Sequence, residues 1–123
     1  MTTICLIHGT NAGPWTMANL ATHFAAEGYT VHAPAYRLHD PSPSPADAGR
    51  LAGLSIDDYV ADIEAAVAAL PEPPVLVGHS LGGVIAQKLA ARGMARALVL
   101  LNGSVNAGTM PTTDCERTLA RTL

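Results

Sequence analysis

Val75-Leu76-Val77 runs directly into Gly78-His79-Ser80-Leu81-Gly82-Gly83, and apolar, alanine-rich residues continue at helical spacing from Leu81 to Arg92. A β-branched run, a Gly-x-Ser-x-Gly step and a helix leave few architectures open. The chain has to reverse sharply between strand and helix, which lifts Ser80 off the C-terminal edge of a sheet in a strained backbone conformation. Gly78 and Gly82 answer the same demand, because a Cβ at either place would collide across the turn. The serine then stands at a helix N-terminus, where backbone N–H groups and the dipole favour developing negative charge. As a bare five-residue match this is a glycine-rich turn with an incidental serine. Between a strand and a helix, it marks Ser80 as a candidate nucleophile.

The remaining segments alternate in the same way. Thr3-Ile4-Cys5-Leu6-Ile7-His8 is short, β-branched and continuously apolar, as a strand covered on both faces is. Pro14 suits a first helical position, Met17, Leu20, Ala21 and Phe24 follow at helical spacing, and Gly28 stops the helix. Residues 29–33 read as a second strand. Residues 34–53, with Pro41, Pro43 and Pro45, form a loop too long for a plain connector. Ser55 opens a further helix with Asp58 in a capping-box position, and Ile56, Val60, Ile63, Val67 and Leu70 share one face. Residues 97–101 make a fourth strand, and Asp114 is placed to cap a short terminal helix. This alternation predicts an α/β fold, three-layer α/β/α on a parallel sheet, with right-handed crossovers. The 123 residues suit one domain and leave no room for two.

His8-Gly9-Thr10-Asn11-Ala12-Gly13 follows the first strand, so in a parallel sheet it emerges at the same edge as Ser80. Backbone N–H groups of Thr10 and Leu81 would there make a two-donor oxyanion hole, with Asn11 as an alternative donor. His8 reads as a structural histidine fixing the loop. Together the two motifs resemble the α/β-hydrolase superfamily, in its branch of small lipase- and esterase-like members, over residues 3–103. That resemblance implies a partial α/β-hydrolase fold, with the four strands matching the third to sixth of the family sheet in the order 4-3-5-6. It implies Ser80 as nucleophile and Thr10 and Leu81 as the oxyanion hole. It further implies a small-molecule acyl substrate, a carboxylic ester or relative cleaved through an acyl-enzyme, and no metal or organic cofactor. A serine at the elbow argues against the aspartate-nucleophile members, the dehalogenases and epoxide hydrolases. Lyases, thioesterases and C–C hydrolases on the same fold remain alternatives.

In that family an acid and then a histidine follow the serine along the chain. Here His8, His23, His32, His39 and His79 all precede Ser80, and only Asp114 and Glu116 offer an acid past the fourth strand, Asp114 being the better placed. With family domains at roughly 200–250 residues, the chain reads as one truncated domain, residues 1–123. A catalytically inactive, truncated hydrolase-like module is therefore the alternative. The net charge of −3, with one lysine and scattered arginines, offers no basic patch for nucleic acid or an anionic membrane. No apolar run approaches the ~18 residues of a membrane span, and no basic leader precedes Ile4, which suggests a cytoplasmic protein. Cys5 and Cys115 make no disulfide framework and no metal spacing. His23 and His32 read as surface or packing residues, His39 as solvent-exposed, and Trp15 as acyl-pocket lining or as a helix anchor. Asp57, Asp58, Asp62 and Glu64 read as a solvated helix face. The fourth strand, at a sheet edge, is expected to promote self-association.

Overall fold

Strands of both-face apolar character alternate with helices along the computed structural model, which describes residues 1–104. Asp114, Cys115, Glu116 and the expected terminal helix lie outside the described residues. The elements are β1 (Thr3–Ile7), α1 (Ala18–Ala26), β2 (Thr30–His32), α2 (Ala48–Ala52), α3 (Ile56–Ala68), β3 (Val75–His79), α4 (Leu81–Ala91) and β4 (Ala97–Leu101). The sheet is parallel throughout, in the order β2-β1-β3-β4, with Cys5 beside Leu76 and Val77 beside Val99. This is the order that the resemblance implied.

Successive strand residues point to opposite faces, and here both faces are covered. On one, Cys5, Ile7 and Leu76 pack with Val60, Ile63 and Val67 of α3 and with Ile85, Ala86 and Leu89 of α4. On the other, Ile4, Leu6 and Val77 pack with Met17 and with Leu20, Ala21 and Phe24 of α1. The result is the expected three-layer α/β/α arrangement. Cys5 is buried in it as a free thiol, and burial pushes its pKa up to about 12, so it serves as a small apolar residue.

The crossovers set where a ligand can enter. From β1 the chain passes through α1 to β2, while from β3 it passes through α4 on the other face to β4. The connections leaving β1 and β3 thus diverge at the C-terminal ends of these adjacent strands, the place where open α/β sheets characteristically bind ligands.

One local difference from expectation has a simple cause. The loop after β2 holds a 3-10 turn, Pro45–Asp47, and the short helix α2, nucleated where Ser44 and Asp47 exchange hydrogen bonds. The long proline-bearing run disguised this start signal. At the other side of the sheet, β4 leaves Leu98, Val99 and Leu100 at 37, 42 and 44% exposure. This matches the expectation that the fourth strand lies at a sheet edge with apolar surface in water.

The capping box at α3 is formed as expected. Asp58 N–H donates to Ser55 Oγ at 3.3 Å, and Ser55 N–H donates to the Asp58 carboxylate at 2.8 Å. Replacing Ser55 with alanine removes the side-chain acceptor and is expected to cost ~1 kcal/mol. A urea titration that shows no fall in midpoint would contradict that role.

Candidate active site

Ser80 stands between β3 and α4 with φ 53° and ψ −120°, a conformation that a side chain bearing a Cβ rarely adopts. Hydrogen bonds hold it there. Its N–H donates to the Leu101 carbonyl at 3.2 Å, and its own carbonyl accepts from Gly83 N–H at 2.9 Å and Ser104 N–H at 3.0 Å. Both motif glycines meet backbone where a side chain would go. A Cβ at Gly78 would strike the Gly82 carbonyl and come within 2.7 Å of Gly83 Cα. One at Gly82 would strike the Ile7 carbonyl oxygen and lie 2.6 Å from that of His8. The turn is therefore seated directly on the end of β1.

The loop after β1 closes on the same spot. A Cβ at Gly9 would lie 3.1 Å from Ser80 Cβ and 3.3 Å from the His79 carbonyl oxygen, so the two motifs are in contact. Thr10 follows Gly9 in an exposed position, and Leu81, as the first residue of α4, has no intrahelical acceptor for its N–H. The structure thus brings Ser80, Thr10, Leu81, Gly78 and Gly82 to one edge of the sheet.

His8 ties this edge together. It is fully buried, its Nδ1–H donates to the Gly9 carbonyl at 3.0 Å, and its Nε2 accepts from Tyr36 N–H at 3.4 Å. Tyr36 returns a bond, its hydroxyl donating to the His8 carbonyl at 2.8 Å. Both ring nitrogens are committed, which leaves no site for taking a proton from Ser80. Burial, and secondarily the neighbouring His39, hold the His8 pKa below its ordinary value. A group that protonates more readily unfolded than folded stabilises the fold fully above the ordinary histidine value and loses that contribution as pH falls below it. Unfolding free energy is therefore expected to fall between pH 7 and 5, by at most ~1.4 kcal/mol per pH unit from this residue. Urea titrations of a His8→Gln variant should show a flatter dependence across that window; an unchanged slope would assign the effect elsewhere.

His39 departs from its expected exposure. Only 8% of it is accessible, and its Nδ1–H donates to the Arg37 carbonyl at 2.8 Å. Its ring lies edge-on to Tyr59 at 5.4 Å and to Tyr36 at 5.6 Å, while Tyr36 and Tyr59 stack at 4.7 Å. The loop is turned inward by Arg37, whose guanidinium pairs with the Asp62 carboxylate at 2.8 Å and with Asp58 at 3.6 Å. Part of the acidic face of α3 therefore anchors this loop. A lone arginine beyond a strand end was the only hint in the sequence. His23, His32 and His79 are exposed.

Trp15 folds its indole back over Gly13, filling the space a Cβ would take there, and remains 47% exposed. With Thr10, Asn11, His39 and Tyr59 it lines a cavity of about 320 Å³ beside the loop after β1. A larger apolar groove of about 520 Å³ runs between α1 and β4, lined by Leu20, Phe24, Val99 and Leu101, and does not include Ser80. Among the described residues no three His, Cys, Asp or Glu side chains converge as metal ligands. No helix there is long and apolar enough to cross a membrane.

Comparisons with known proteins agree with this geometry. A pyrethroid hydrolase of Sphingobium wenxiniae is 35% identical over 91 residues, which cover 73% of this chain and 31% of that protein. The crystal structure of a pyrethroid hydrolase from Sphingobium faniae is 26% identical with a TM-score of 0.70, over 91% of this chain and 46% of that one. A structure reported for the metagenome-derived lipolytic enzymes LipS and LipT is 27% identical with a TM-score of 0.72, over 88% of this chain and 44% of that one. This chain thus spans about a third of the curated relative's length and less than half of either solved chain. Residues 6–122 match the alpha/beta hydrolase family, and with the parallel sheet and the Ser80 turn already described, the chain belongs to that family.

Proposed function

We propose that the chain carries the nucleophile and oxyanion hole of a serine hydrolase acting on carboxylic esters or related acyl compounds. The observation that carries this is Ser80 at φ 53° on the end of β3, in contact with the loop that bears Thr10. Similarity to pyrethroid hydrolases and lipolytic enzymes supports an ester as substrate. Ser80 Oγ attacks the acyl carbonyl, and the N–H groups of Thr10 and Leu81 receive the developing oxyanion. Collapse of the tetrahedral intermediate expels the alkoxide, which takes up a proton, and leaves the acyl group on Ser80. Water then cleaves this acyl-enzyme to the acid. The resemblance assigns the base to a histidine after the serine, and this sequence has none beyond His79. With His8 committed, the Ser80 proton passes to water in this chain, which makes acylation slow.

The nucleophile is tested by incubating the chain with p-nitrophenyl acetate and mapping acetylation by mass spectrometry. Acetyl on Ser80, absent from a Ser80→Ala variant, is the expected result. Acetylation only at lysine or the N-terminus would overturn it. The chemistry belongs in a reducing, cytoplasmic setting, consistent with the free thiol of Cys5.

Self-association through β4 is part of the same reading. Among the described residues it is a sheet edge with three exposed apolar residues in succession, a ready template for pairing with a second copy. Sedimentation velocity is expected to show species larger than a monomer, reduced by Val99→Lys. A single monomeric boundary for the parent chain would refute the pairing.

A further inference from the structure

We propose that the 320 Å³ cavity beside the loop after β1 receives an uncharged planar ring of the substrate that bears a hydroxyl or N–H donor, with His39 as its hydrogen-bonding anchor. This names the substrate class for the serine hydrolase reading and rests on it. The cavity is at the small end of the range for ligand sites, ~300–1,000 Å³, which fits one part of a substrate rather than a whole elongated one. Its walls include the rings of Trp15, His39 and Tyr59, and among the described residues no Asp, Glu, Lys or Arg lines it. Aromatic walls of this kind favour offset or edge-on packing with another ring, and the absence of charged partners disfavours an ionic group.

His39 is held ready for this. A carbonyl only accepts, so the Nδ1 contact with the Arg37 carbonyl fixes the proton on Nδ1 and leaves Nε2 as an acceptor in the neutral ring. Leu38 at φ 62° and the His39 N–H bond to the Tyr36 carbonyl at 3.0 Å set the backbone, while Tyr36 and Tyr59 set the ring plane. No hydrogen bond in the described fold occupies Nε2, and the residue lines the cavity. Thr10 belongs both to the cavity wall and to the proposed oxyanion hole. A ring seated in the cavity is therefore a short link from a carbonyl held at Ser80.

Trp15 is the only tryptophan of the chain and lines the cavity, so its emission reports occupancy without any turnover. 4-Hydroxybenzamide carries its ring on the acyl side and 4-hydroxyacetanilide on the leaving side, each with a phenolic O–H that can donate to His39 Nε2; acetamide carries no ring. Saturable change in Trp15 emission is expected with 4-hydroxybenzamide or 4-hydroxyacetanilide, the responder identifying which side of the substrate enters, and none with acetamide. Removing the anchor in His39→Leu should weaken binding about tenfold, the size of one lost hydrogen bond in a dry site. Should that variant unfold, Leu51→Phe narrows the cavity from the short helix α2 and should abolish the response with the thermal melt unchanged. A response shared by acetamide, or unaltered in the folded variants, overturns the proposal. Binding is measured in Ser80→Ala as well. Ring binding retained there without acetyl transfer in the parent chain would remove the hydrolase reading alone, and acetyl transfer at Ser80 without ring binding would remove the cavity assignment alone.

Discussion

Replacing Gly82 with valine is expected to leave the chain without a cooperative melt. A single Cβ at this position already strikes the Ile7 carbonyl and lies 2.6 Å from the His8 carbonyl oxygen. These are backbone atoms at the centre of the sheet, so no flexible side chain can swing away. Either α4 lifts from β1, exposing Ile85, Ala86 and Leu89, or β1 shifts and breaks its pairing with β3. Overpacking of this kind costs ~1–3 kcal/mol where neighbours adjust, and more where only backbone is available. Against a net stability of ~5–15 kcal/mol for an ordinary domain, that is a large share. Gly49→Ala in α2 provides the contrast, since nothing lies within 4 Å of the place its Cβ would take. Alanine there is expected to be neutral or slightly stabilising. Circular dichroism melts of the two variants decide the matter; a Gly82→Val protein melting like the parent would show that α4 is not seated on β1 as described.

Hydrolysis of p-nitrophenyl butyrate by the 123-residue chain is expected to be slow, and to fall further when Ser80 is replaced by alanine. Removing triad members from a serine hydrolase leaves at most ~10³–10⁴-fold acceleration over water, supplied by the oxyanion hole and the binding cleft. The same ceiling applies to a chain whose histidines are committed, exposed elsewhere or, for His39, bonded through Nδ1 to a carbonyl. The steady-state rate at pH 7–8, with Ser80→Ala as reference, measures it. Fast turnover that vanishes in Ser80→Ala would establish that one of these histidines takes the proton after all. His79, exposed and next to Ser80 in sequence, would then be the first to replace.

The sheet and the serine turn were legible because their requirements are local. Continuous apolar runs such as Val75-Leu76-Val77 identify strands covered on both faces, and a Gly-x-Ser-x-Gly step has steric needs that only glycine meets. The Ser55–Asp58 cap was equally plain, for it lies within four residues. The environment of His39 was not legible. It depends on Arg37 reaching Asp62, 25 positions away, and on a turn whose residue Leu38 sits at φ 62°, which leucine does not advertise. The exposure of β4 was legible through the strand order that the resemblance implied, which put it at the edge although its composition is that of a covered strand.

The hydrogen bonds around Ser80 make the serine's posture hostage to a strand that is not its own. Leu101 and Ser104, at and beyond the end of β4, grip its N–H and its carbonyl. Among the described residues β4 has a neighbour on only one side, so thermal fraying should begin there rather than at β1 or β3. When β4 peels away, the grip opens, and the backbone of Ser80 is free to relax toward ordinary dihedral angles. On gentle heating the molecule would thus lose the shape of its reactive turn while Leu6, Ile7 and Leu76 are still packed.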